Sequence, residues 1–164
     1  MAAIEAAQAA AALIRALYQT NLAVRTKEDA SPVTAADVRA EELIRATLAR
    51  RFPGYGFYGE ESGPHALEAQ NLWLVDPIDG TKSFVREMPF FSTQIALLRA
   101  GDLVLGVSSA PVYNEFAWAE VGGGAFLNER LMHVSAVADL KDAFISTGNL
   151  KSLTRPQRWL RLGE

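Results

Sequence analysis

Trp73-Leu74-Val75-Asp76-Pro77-Ile78-Asp79-Gly80-Thr81-Lys82-Ser83-Phe84 is the stretch around which the chain is read. The apolar run Leu72–Val75 predicts a short buried strand. Asp76-Pro77 should end it, because proline has no N–H for a ladder and biases its predecessor toward extended backbone. Asp76 and Asp79 follow closely, and a short helix is expected to open at Gly80-Thr81. Two carboxylates and a helix start therefore meet at one strand-to-helix corner. Hard cations such as Mg²⁺ take oxygen ligands, commonly one or two carboxylates plus substrate phosphate. A helix start turns N–H groups toward an anion. The same residues are also good turn chemistry, with Asp capping, Pro fixing φ and Gly turning. Alone, the stretch leaves both readings open.

The totals narrow the field. The 164 residues suffice for one domain with a core. An apolar fraction of 49% and a charged fraction of 21% are those of a soluble globular protein. A net charge of −3, with scattered basic residues, gives no reason to expect nucleic acid. The absence of cysteine excludes disulfides, thiolate metal sites and cysteine nucleophiles, and it fits the cytoplasm. Glu5 and Arg15 interrupt the alanine-rich start, so neither a signal peptide nor a membrane span is expected.

Outward from the centre, residues 2–25 predict a helix, with Ile4, Ala7, Ala11, Ile14 and Leu17 near helical spacing. Residues 26–33 read as a polar loop from which Lys27 can reach an anion. Thr34 is an N-cap candidate for a second helix running to about Arg51, with an apolar stripe of Ala40, Ile44, Leu48 and Phe52. Asp37 is either its capping acid or an acid aimed at the central corner. Tyr55–Gly59 reads as a strand leading into Glu60-Glu61. These glutamates are either a solvated turn or, following a strand end as Asp76 does, partners of that acid. Residues 64–70 read as a loop with a surface His65. Strands are expected over Ser92–Arg99, Leu103–Ala110, Glu115–Glu120, Ala125–Leu127 and Leu131–Val134, joined as a meander. Gly122-Gly123-Gly124 lacks a following Gly-Lys-Ser/Thr, which argues for a tight strand entry over a phosphate loop. A further strand over 143–147 and a helix start over 153–162 complete the expectation. Two long helices on a mainly antiparallel sheet make an α+β layered fold.

Gly59-Glu60-Glu61-Ser62, Trp73-Leu74-Val75-Asp76-Pro77-Ile78-Asp79-Gly80-Thr81 and the upstream Val33-Thr34-Ala35-Ala36-Asp37 together resemble the inositol monophosphatase family. The family comprises Mg²⁺-dependent, lithium-sensitive phosphomonoesterases. Lys82-Ser83-Phe84 resembles its bacterial histidinol-phosphatases most, ahead of its inositol monophosphatases. Arg86-Glu87-Met88-Pro89 departs from both, with Glu87 standing where glycine is usual. The family's later Trp-Asp-x-Ala motif is absent, since Trp73, Trp118 and Trp159 are not followed by Asp. The resemblance therefore implies a metal-binding α+β domain over 1–150 and the start of a second αβ portion over 151–164. It also implies an apolar face where that portion would pack.

The resemblance further implies roles. Glu60, Asp76 and the Ile78 carbonyl hold a first Mg²⁺. Asp76 bridges to a second ion also held by Asp79, and Glu60 lies in reach of a third. The N–H groups of Gly80 and Thr81, with Asp79, hold substrate. Thr81, linked to Asp37, activates water. The substrate is a small phosphomonoester, histidinol phosphate or inositol monophosphate. A homodimer is open, since the family often forms dimers. The alternative is a non-catalytic or weakly active fragment that keeps only the metal corner.

Overall fold

The computed structural model describes residues 1–27 and 32–146. The chain divides into two compact units, Met1–His133 and Val134–Glu164. In the first unit, α1 (Ala2–Leu17) and α2 (Ala35–Arg51) pack on each other. Ala3, Ala6, Ala7, Ala10 and Ile14 line the buried side of α1, facing a core to which α2 adds Ala36, Ala40, Ile44 and Leu48. Small alanines bring the backbones close. Full burial of Ile14, Ile44 and Leu48 contributes about 1.5–3 kcal/mol each.

The helix over 2–25 is shorter than expected. Tyr18 turns extended, with φ −64° and ψ 137°, and the Thr20 hydroxyl donates to the Leu17 carbonyl at 2.7 Å. That bond satisfies one of the carbonyls left over at a helix end. The β-branched Val24 then opens β1 (Val24–Thr26), which pairs antiparallel with β2 (Pro32–Thr34). The expected polar loop over 26–33 is thus flanked by a small ladder.

The main sheet contains β3 (Gly56–Gly59), β4 (Gly63–His65), β5 (Asn71–Asp79), β6 (Ser92–Arg99), β7 (Asp102–Ala110), β8 (Glu115–Glu120), β9 (Gly124–Leu127) and β10 (Arg130–Leu131). Their spatial order is β10-β9-β8-β7-β6-β5-β3-β4. Every pairing is antiparallel except β3 with β5. Parallel neighbours usually need a helical crossover. Here β4, read from sequence as part of a loop, carries the chain back along β3 before β5 begins.

Pro77 does not stop the central strand. β5 runs on to Asp79, and its register against β6 shifts between Asp76 and Asp79. A bulge tolerates the missing N–H, and the Pro77 carbonyl accepts from the buried Thr93 hydroxyl at 2.9 Å. Trp73, Val75, Ile95, Leu97, Leu105 and Val107 join the helices in the core. A groove of about 660 Å³, bordered by Tyr58, Leu74, Ala96, Leu103, Ala117 and Ala119, also carries Glu60 and Asp76.

Among the described residues of the second unit, the only regular element is a 3₁₀ turn over Leu140–Asp142. The strand expected to begin at Ala143 is absent over 143–146, because no described segment pairs with it. Residue 147 and the expected helix start over 153–162 lie outside the described residues, as does the boundary at 150.

Candidate functional site

Sheet register brings the first two acids together. β3 aligns Gly59 with Val75, and the Glu60 N–H extends that ladder by donating to the Val75 carbonyl at 3.0 Å. Glu60 therefore stands beside Asp76, where β3 ends against the continuing β5, and its carboxyl group helps raise the Asp76 pKa. The Asp76 carboxyl is pushed up from 3.8 to about 8, first by burial, then by the side chain of Glu60 and the charges of Glu60 and Asp79. The Ile78 N–H pulls it partly back. Among the described residues, Asp76 Oδ1 is buried without a hydrogen-bond partner, a costly condition for a polar atom.

Lys27, just after β1, supplies the local positive charge. Its ammonium donates to Glu60 at 2.9 Å and to Glu61 at 2.7 Å. Burial works to lower the Lys27 pKa, but those hydrogen bonds outweigh it and hold the ammonium above its ordinary range. Glu61 is pushed up, because its burial outweighs the bond to Lys27.

The second half of the corner is built at the start of α2. The Thr34 side chain caps the helix by accepting from the Ala36 N–H at 3.1 Å. Asp37, 1% exposed, answers through Oδ2, accepting the Thr34 N–H at 2.7 Å and its hydroxyl at 2.6 Å. Its other oxygen, Oδ1, lies 3.1 Å from the Thr81 hydroxyl. The two readings of Asp37, capping acid and acid aimed at the corner, thus describe its two oxygens. Thr81 also lies 3.0 Å from the Ile78 carbonyl. One hydroxyl proton faces two acceptors. Given to Asp37, it leaves the Ile78 carbonyl available.

Gly80 joins the halves. Its φ of 101° is left-handed, where glycine carries no Cβ penalty. A Cβ there would also stand 2.7 Å from the Phe90 carbonyl. The turn lets α3 (Thr81–Val85) start directly after β5, leaving Asp79 exposed at the rim. Glu87, in the loop after α3, also has a left-handed backbone, with φ 57°.

Among the described residues, no three His, Cys, Asp or Glu side chains are grouped as a ready-made metal cage. The donors nonetheless suit a hard cation. They are the neighbouring carboxyl groups of Glu60 and Asp76, one Asp76 oxygen without a hydrogen-bond partner among the described residues, and the carbonyl of Ile78 two residues on.

Residues 1–158 match the sequence profile of the inositol monophosphatase family. The chain belongs to the inositol monophosphatase family. It is 44% identical over 119 residues to a histidinol-phosphatase of Chlorobaculum parvum, covering 73% of this chain and 46% of that protein. It is 42% identical over 132 residues to an inositol-1-monophosphatase of Caulobacter vibrioides, covering 79% of this chain and 52% of that one. The crystal structure of the extragenic suppressor protein suhB from Bartonella henselae superposes with a TM-score of 0.80 at 39% identity, covering 83% of this chain and 54% of that one. The chain thus spans about half the length of these relatives.

Sequence reasoning missed one acid beside this corner. Glu41, 2% exposed, accepts the backbone N–H groups of Glu61 at 2.7 Å and Ser62 at 2.8 Å. The one hint in the sequence is a carboxylate one turn after Asp37 on the same helix face as Ile44 and Leu48, which names no partner for it. His65, read as a surface residue, is exposed.

Proposed function

We propose that this chain carries the metal and phosphate corner of a Mg²⁺-dependent phosphomonoesterase, acting on histidinol phosphate first and inositol monophosphate second. The observation that carries it is the neighbouring Glu60 and Asp76, with an Asp76 oxygen partnerless among the described residues, beside the Thr81–Asp37 contact. Glu60, Asp76, Asp79 and the Ile78 carbonyl would hold two Mg²⁺ ions, with Glu60 in reach of a third. When bound, the ions neutralise phosphate charge and lower the pKa of the attacking water.

The chain's own residues do the rest. The Thr81 hydroxyl donates its hydrogen bond to Asp37 Oδ1, which leaves the hydroxyl's lone pairs free to accept a hydrogen bond from water. Asp37 is anchored by both donors of Thr34, so it orients Thr81 without moving. The N–H groups of Gly80 and Thr81 hold the phosphate. Asp79 at the rim meets the ester. The cysteine-free composition suits a reducing compartment, so the reading places the protein in the cytoplasm. A homodimer is the expected assembly.

The relatives named histidinol-phosphatase and inositol-1-monophosphatase support both substrates. Lys82-Ser83, similar to the histidinol-phosphatase pattern, orders them. The test is phosphate release from each ester by the purified protein, with Mg²⁺ and with EDTA. Release with Mg²⁺ that EDTA stops is expected. Release that survives EDTA, or no release from either ester, overturns the reading.

A further inference from the structure

The proposed chemistry gives Glu41 no task, yet its setting is costly. A carboxylate 2% exposed is tolerated only where hydrogen bonds replace its water. Among the described residues no lysine or arginine pairs with it. Its two oxygens are used separately: Oε2 takes the Glu61 N–H and Oε1 takes the Ser62 N–H. Such bonds from N–H to an ionised acceptor are strong and directional. The position lies on the buried stripe of α2, where leucine would satisfy the packing but leave both amides without an acceptor.

Glu41 reaches the turn across Gly59. A Cβ at Gly59 would stand 2.5 Å from both Glu41 oxygens, so only glycine leaves room for the carboxylate. Glu60 is bracketed as a result. The residue before it packs on Glu41, and the residue after it donates to Glu41. Its own N–H is spent on Val75. The main chain of Glu60 is thus held on both sides and by its own amide, with its carboxyl against Asp76.

We propose that Glu41 is a positioning residue that holds the Glu60–Glu61 turn against α2 and so keeps the Glu60 carboxylate in place for a divalent cation shared with Asp76. This rests on the phosphatase reading. The test is Mn²⁺ binding to the purified protein, followed by the loss of the free-ion electron spin resonance signal, with no substrate present. Two variants approach Glu41 differently. Glu41→Gln removes the charge and one acceptor. Gly59→Ala displaces the carboxylate and leaves its charge. Thr47→Val is the control, since that hydroxyl only bonds the Leu43 carbonyl on the same helix.

Glu41→Gln and Gly59→Ala are each expected to keep a cooperative melt and to bind Mn²⁺ about 10–100-fold more weakly, the usual range when a ligand loses its support. Thr47→Val should bind within about twofold of wild type, since it touches no group near the turn. If one of the two variants fails to fold, the other carries the measurement. Folded variants that bind as tightly as wild type overturn the inference and leave the phosphatase reading standing. Loss of folding in both assigns Glu41 to the fold alone and also overturns it. Wild-type protein that binds no Mn²⁺ overturns the phosphatase reading and this inference together.

Discussion

Replacing Asp76 by asparagine should stabilise the metal-free protein and remove its response to metal. Asp76 is half-buried, stands beside Glu60, and has one oxygen without a partner among the described residues. Its pKa rises from 3.8 to about 8 on folding. The native state therefore holds a proton that the unfolded chain has released, everywhere between those values. Stability falls as pH climbs through that window, and the penalty is complete above about 8. For a fully buried group such a rise would correspond to about 6 kcal/mol. Solvent contact at a half-buried site screens this to roughly 2–3 kcal/mol. The asparagine side chain in Asp76→Asn carries no charge and can donate to Glu60. In EDTA at pH 8 the variant should therefore melt about 4–10 °C above wild type, with the difference vanishing near pH 4. Mg²⁺ at a hundredfold excess over its Kd adds about 2.7 kcal/mol to a protein that binds it, so wild type should recover the deficit while the variant stays put. Circular dichroism melts from pH 4 to 9, with and without Mg²⁺, measure all of this. Parallel pH curves for the two proteins in EDTA would refute the reasoning, since they would mean that Asp76 carries no burial penalty.

Thr81→Val keeps the shape and removes the hydroxyl between Asp37 and Ile78. Phosphate release should fall about 10²–10⁴-fold, and Thr81→Ser should restore most of it; equal activity of all three excludes a role for the hydroxyl. Asp79 is exposed, so Asp79→Asn should change stability by less than about 0.5 kcal/mol while phosphate release disappears, and turnover retained in that variant removes Asp79 from the machinery. Glu87 has φ 57° without being glycine, so Glu87→Gly should raise stability by about 1 kcal/mol, read as a higher urea midpoint; a lower midpoint means Glu87 makes contacts that outweigh its backbone.

The β6–β9 meander was legible because its apolar residues alternate and its turns carry Gly, Asn or Pro. The α2 start was legible because Thr34 and Asp37 form a local capping unit. Three features were not legible, each for a nonlocal reason. The β4 return is short and polar, and only its pairing with β3 makes it a strand. Pro77 reads as a stop, but the bulge against β6 removes the need for its N–H. Val24 reads as the end of a helix until β2 offers it a partner. At the corner, each acid is visible after its own strand. Their adjacency required the parallel register of β3 and β5, which no local pattern specifies. Glu41 was hidden differently: it sits inside an apolar stripe, and its partners are backbone amides with no signature in the letters.

The parallel pairing has a mechanical consequence. β3 and β4 form the outer margin of the sheet, and Glu60 and Asp76 sit on opposite sides of the seam that joins this margin to β5. An ion gripped by both would act as a rivet across that seam. Loading the site would then slow the peeling of the margin, and exchange of the amides that cross the seam, Glu60 to the Val75 carbonyl and Tyr58 one step before it, would report occupancy before any ester is added.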